Sequence, residues 1–191
     1  MERAMFQYRA IERAELAGIG CAIPIAPLAK VVAEMGLDPA LANPYYLAWR
    51  AVITLTLEGA SILGSREPVE FVFDDQSEKV NIIAAWEYFR SGAPRSIRKR
   101  IRGVPSFEND EEVVPLQAAD MIAWWARKQY MTDKANMKNL FPIEWTNGTE
   151  PTLLFTEMRE EQIRTQLTRD IEIAKRRASQ IGLHSSFKHL P

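Results

Sequence analysis

The chain has 191 residues, 47% hydrophobic and 26% charged, which is enough apolar content for a packed domain and too much for overall disorder. A net charge of −1 excludes a protein that coats nucleic acid through bulk charge, although local basic patches stay open. The single cysteine, Cys21, excludes an internal disulfide framework and fits a reducing compartment, so the expected location is the cytoplasm.

The opening, MERAMFQYRAIERAEL, is not a signal peptide, because Glu and Arg interrupt every apolar run. Residues 4–17 predict the end of a helix stopped near Gly18. GIGCAIPI then alternates, with Ile19, Cys21, Ile23 and Ile25 on one face, which predicts a strand with Pro24 at its edge or end. After a loop containing Gly36, Pro39 and Pro44, PYYLAWRAVITLTLEGASIL predicts a helix of roughly five turns. Arg50 and Glu58 inside it exclude a membrane span. EPVEFVF predicts a strand covered on both faces near its end. DDQSEKVNIIAAWEYFR follows as a helix with Val80, Ile83, Ala84 and Phe89 as its apolar positions. RSIRKRIRG is basic, and a short strand is expected around Ile101 to Phe107.

PLQAADMIAWWARK predicts a helix opened by Pro115, a favoured first-turn residue. Beyond Tyr130 a loop with Pro142, Gly148 and Pro151 leads to a last long helix. Its apolar stripe is Ile163, Leu167, Ile171, Ala174 and Ala178, and Gly182 is its stop. The alternation of helices and strands is an α/β pattern of about three strands flanked by helices, with a long C-terminal helix.

The acids carry most of the chemistry. FVFDDQSEK places two aspartates where a buried strand ends, the position at which open α/β sheets usually bind ligands. Asp75 followed by Glu78 fits a capping box for the next helix. Asp74 has no such role and is either solvated or cation-binding. In the helix from Pro115, Gln117, Asp120, Trp124 and Arg127 share a face, while Leu116, Ala119, Ala123 and Ala126 form a small-residue stripe suited to packing on a sheet. The polar face is then narrow, and an ionised carboxylate is costly to bury unpaired. Asp120 is therefore either paired with Arg127 or a nearby backbone group, or held by a cation. Glu58, with Arg50, Thr54 and Ser61, reads as part of a solvated stripe.

Carboxylates brought together from a strand end and a helix suit Mg or Mn, and such a site can clamp a phosphate and activate water. Arg95, Arg98, Lys99, Arg100 and Arg102 follow one another with no intervening acid. They read either as phosphate contacts to nucleic acid or as a solvated basic loop. His184 and His189 have no nearby cysteine for a zinc site, and there is no phosphate-binding GxxxxGK[ST] motif.

Taken together, FVFDDQSEK, AAWEYFRSGAP and PLQAADMIAWWARK resemble the bacterial domain-of-unknown-function 3800 family over residues 11–130. The run Leu116-Gln117-Ala118-Ala119-Asp120 looks like its closing motif, and Asp74 matches the acid at the end of its middle strand. The resemblance implies a ribonuclease-H-like fold and metal-dependent phosphodiester hydrolysis. Asp74 and Asp120 would be the catalytic ligands of Mg or Mn and Gln117 a supporting motif residue; Asp75, next to Asp74, is a further candidate ligand outside that motif match. On the phosphate reading of the basic run, independent of the resemblance, Arg98, Lys99, Arg100 and Arg102 would touch nucleic acid.

The family opens with a strand bearing Asp-Glu-Ser-Gly, and no such motif occurs here; the early acids are Glu2, Glu12 and Glu15. The expectation is an incomplete ribonuclease-H-like mixed sheet in residues 1–130, N-terminally truncated, followed by a loop and an amphipathic helix in 131–191. Such a domain would be inactive alone. Its open strand edges would be completed by a partner chain, by a second copy, or by the internal segment PTLLF at 151–155. The alternative is a non-catalytic interaction or assembly module that docks through the helix from Glu157 to Ile181.

Overall fold

A computed structural model describes residues 11, 16–39, 42–62, 64–75, 77, 79–132 and 152–180. Among them are four strands, β1 (Ala17–Ala22), β2 (Val72–Asp74), β3 (Ser106–Glu108) and β4 (Thr152–Glu157). There are six helices: α1 (Ile25–Glu34), α2 (Pro44–Ile62), α3 (Lys79–Gly92), α4 (Arg95–Arg98), α5 (Val114–Thr132) and α6 (Glu160–Gln180). The class is α/β with a long C-terminal helix, as the alternation predicts. The strands form two separate pairs, β1 with β4 and β2 with β3, where one sheet of about three strands was expected. The helix expected at 4–17 lies mostly outside the described residues, though Ile11 is helical and buried. Gly182 and both histidines also lie outside them.

Contacts divide the chain into two compact units, residues 1–20 with 57–155 and residues 21–56 with 156–191. The division falls within β1, α2 and β4.

The second unit is helical. Its first helix, α1, takes in Ile25, predicted as the end of a strand, and most of the loop predicted after it, with Pro24 just before it and Pro27 inside it. Neither breaks the helix. The Pro24 carbonyl accepts the Leu28 amide at 3.1 Å, and Pro27 sits in the first turn, where a missing N–H costs nothing. Gly36, at φ 63°, turns the chain off the helix as its amide reaches back to the Ala33 carbonyl at 3.1 Å. Leu28, Val31 and Val32 of α1, Leu47 of α2, and Ile163 and Leu167 of α6 are buried together with Ala42 and Met158.

Ion pairs frame that core. Lys30 meets Glu160 at 2.8 Å, Arg164 meets Glu34, and Arg50 meets Asp170. The Arg50 side chain is only 12% exposed, so Arg50 does not belong to the solvated stripe predicted for its helix. A cation this shielded needs its carboxylate, and Asp170 in turn accepts from Gln166 at 3.1 Å.

In the first unit, β2 and β3 run parallel, with Val72, Phe73 and Asp74 opposite Ser106, Phe107 and Glu108. The Phe73 and Phe107 rings lie 5.8 Å apart on one face. Helix α3 packs through Trp86, whose ring stands edge-on to Phe71 at 5.3 Å. Its buried residues are Ile82, Trp86 and Phe89. Val80, Ile83 and Ala84, expected to face inward along with Phe89, are instead exposed. The tryptophan fixes which side of a nearly all-round apolar helix turns in.

Helix α5 shows the same kind of shift. Ala118 and Ala126 are buried, while Ala119 and Ala123 of the predicted stripe are exposed.

Within PTLLF, residues 152–155 belong to the strand β4. It pairs with β1, and the two advance together: a Cβ on Gly18 would meet Leu153, and one on Gly20 would meet Phe155. The pair is therefore parallel. Large side chains of β4 lean over glycines of β1, which lets Leu154 and Ile19 reach Gly59 of α2 at 3.6 Å from its would-be Cβ.

Candidate functional site

Asp74 closes β2 and stands opposite Glu108 of β3. Residues in register on neighbouring strands share a face, and successive residues alternate. Since Phe73 and Phe107 share one face, Asp74 and Glu108 share the other. Both are exposed, and two like charges side by side on paired strands repel.

Asp75 is different. Its amide donates to the Glu108 carbonyl at 2.9 Å, which extends the ladder by one residue. Its carboxylate pairs with Lys79 Nζ at 3.1 Å, and that ammonium sits 5.2 Å from the centre of the Phe107 ring. The two consecutive aspartates are thus separated, Asp74 on the acidic face and Asp75 beside a lysine on the aromatic face. Helix α3 begins only at Lys79, so Asp75 supports it through this ion pair from four residues away. Glu78, the other half of the expected capping box, lies outside the described residues.

Asp120 lies on the outer side of α5 and is exposed, as are Ala119, Ala123, Trp124, Arg127 and Lys128. The exposed face is wide and takes in alanine and tryptophan as well as charged residues, and that is how the helix carries an aspartate without a buried charge. No ion pair joins Asp120 to Arg127 among the described residues. The nearby lysine is engaged elsewhere: Lys128 Nζ lies 5.1 Å from the Trp124 ring and 4.7 Å from the Trp125 ring.

Helix α5 lies against β2, so Asp74 and Asp120 come from contacting elements. Gln117 Nε2 donates to the Asp110 carbonyl at 2.8 Å and ties down the loop that leads into α5.

Among the described residues no three His, Cys, Asp or Glu side chains are grouped so as to hold a metal ion, so Asp74, Asp75 and Asp120 do not form a triad. Asp74 and Asp120 are exposed carboxylates on two elements that touch. Glu108 is the acid that sequence reading missed. Its signal was the final position of SFE, and only the register of a parallel partner places it beside Asp74.

The basic run is arranged around a backbone bridge. Val69 and Ile101 pair in parallel, the Val69 amide donates to the Arg100 carbonyl at 2.7 Å, and the Arg102 amide donates to the Val69 carbonyl at 2.9 Å. Arg98, Lys99 and Arg102 are exposed, and none makes an ion pair among the described residues. Arg100 is partly covered, and its Nη1 donates to Ser61 Oγ at 2.6 Å. Glu58, one turn before Ser61, is exposed, as the solvated reading of that face predicts.

No family model, curated protein or solved structure matches this chain. No helix among the described residues is long and apolar enough to cross a membrane.

Proposed function

We propose that this chain is a ribonuclease-H-like domain that carries part of a metal-dependent nuclease site. The observation that supports it is the contrast among the three aspartates. Asp75 is claimed by Lys79, whereas Asp74 and Asp120, on elements that touch, are exposed and have no hydrogen-bond or ion-pair partner among the described residues. Free carboxylates at the carboxyl end of a parallel strand pair are available to a hard cation. Held there, Mg or Mn would supply Lewis-acid activation of a phosphodiester. Two carboxylates do not complete such a site, so the domain alone is inactive.

The remaining ligand is to come from a strand added beside β2, on a partner chain or a second copy. The β2–β3 pair has only three residues in each strand, and no described strand flanks it. The second reading, a non-catalytic assembly module, draws on the same open edges and on the exposed Val80 and Ile83 of α3. It loses its original docking surface, because Ile163 and Leu167 of α6 are buried in the chain's own core.

A calorimetric Mn²⁺ titration of wild type and Asp120→Asn separates the two readings. The nuclease-derived site predicts a binding heat that the substitution removes. Equal heats leave only the assembly module.

A further inference from the structure

The outer face of α5 carries more than Asp120. Among the described tryptophans, Trp49 and Trp86 are buried and Trp125 is half-buried, whereas Trp124 is 54% exposed. Trp124 lies four residues after Asp120, so the two share a face about 6 Å apart along the axis at roughly 1.5 Å per residue. Helical side chains lean toward the N-terminus, which for Trp124 is the direction of Asp120. The indole is braced: Trp125 stands edge-on to it at 4.8 Å and 83°, and Lys128 Nζ lies 5.1 Å from its centre. The lysine does not bury the ring, since more than half of Trp124 stays exposed with Lys128 in place. Arg127 and Lys128 are also exposed, and neither has an ion-pair partner among the described residues.

We infer that Trp124 is a stacking platform for one unpaired nucleobase beside Asp120, so that the substrate of this site is single-stranded. The inference rests on the nuclease reading for a phosphate-bearing ligand and adds the form of the strand, which that reading leaves open. Every base has an apolar π-face, and a braced, exposed aromatic ring with cations beside it is how sequence-tolerant single-strand sites hold bases. One sugar separates a base from its phosphate, so a base on Trp124 brings that phosphate to the Asp120 side, one helical turn away. Arg127 and Lys128 supply positive charge to the same backbone. A duplex keeps its bases stacked on one another and leaves none to cover the ring. The charged neighbours Asp120, Arg127 and Lys128 suit a strand of alternating phosphates and bases and not an apolar protein surface.

The test is fluorescence anisotropy in EDTA, between about 50 and 200 mM salt, with three labelled ligands of about 20 nucleotides. They are an oligothymidylate, an abasic strand of the same length, and a duplex. Trp124→Ala, at an exposed position and with unchanged circular dichroism, should weaken oligothymidylate binding about tenfold, within the range that stacking of one base supplies. Trp124→Phe keeps a π-face and should recover most of that loss. The slope of log affinity against log salt should stay as in wild type, because no phosphate contact is removed. On the abasic strand and on the duplex, Trp124→Ala should change affinity by no more than about twofold. An equal loss on all three ligands, or no loss on oligothymidylate, would overturn the platform. So would a wild type that does not bind oligothymidylate at the lowest salt. Because metal is absent, base-dependent binding without a Mn²⁺ heat sinks the shared cation and leaves the platform, and the reverse pattern sinks the platform alone.

Discussion

Replacing Gly20 with alanine tests the pairing of β1 with β4. A Cβ at this position would lie 2.8 Å from Cδ2 and 3.2 Å from Cε2 of Phe155. Ordinary carbon contacts are about 3.5–4.0 Å, so the ring must retreat by roughly 0.7 Å. An aromatic ring cannot fold away as a leucine tip can, and overpacking of this kind costs about 1–3 kcal/mol. Alanine recovers about 0.5–1 kcal/mol of backbone entropy relative to glycine in a strand. The net expectation is a loss of about 1 kcal/mol. In a Phe155→Ala background the obstruction is gone, and the same substitution should stabilise by about 0.5 kcal/mol. The sign reversal, a coupling of about 1.5 kcal/mol, is read from urea unfolding of the four proteins in a double-mutant cycle. If Gly20→Ala has the same effect in both backgrounds, Phe155 does not cover Gly20, and β1 and β4 pair in another register.

The helical unit is open to three further tests. Ile163→Ala, at a fully buried position of α6, should cost about 2–5 kcal/mol in urea unfolding, and a loss below about 1 kcal/mol would place α6 outside the core. Arg50→Ala and Asp170→Ala should show a coupling of about 1–2 kcal/mol in a double-mutant cycle, reduced little by salt because the pair is mostly shielded; simple additivity would contradict this. Burial pushes the Cys21 thiol up from 9.0 to about 11, so at pH 8 iodoacetamide should modify it about a hundredfold more slowly than a free cysteine. Because that shift is upward, its contribution to stability is complete below pH 9 and is lost as pH rises through about 11. Equal alkylation rates in folded and urea-unfolded protein would refute the burial.

The α/β class was legible because alternation and turn residues are local signals. Which side of a helix turns inward was not. In α3 and α5 apolar residues occur nearly all round, so the partner decides: Trp86 against Phe71 turns Val80 and Ile83 outward. Helix α1 was hidden because Pro24 was read as the edge or end of a strand, and the pairing of β4 with β1 by their distance in sequence.

The candidate site was half legible. Asp74 could be picked out because it ends a strand and has no capping role. Its separation from Asp75 and its proximity to Glu108 depend on register, a long-range property that no short window contains. For Asp120 the sequence posed a burial problem that the fold dissolves by leaving the residue outside.

The most direct measurement is the stability that Mn²⁺ confers. A ligand that binds only the folded chain stabilises it by RT ln(1 + [L]/Kd), about 1.4 kcal/mol at about 10 mM Mn²⁺ if Kd is about 1 mM. If Asp74 and Asp120 hold one cation between them, the unfolding free energy of wild type, read from urea unfolding, rises by that amount, while Asp74→Asn and Asp120→Asn, of near-normal stability without metal, show no rise. A wild-type midpoint that ignores Mn²⁺, or an equal rise in all three proteins, would contradict a shared cation at these two carboxylates.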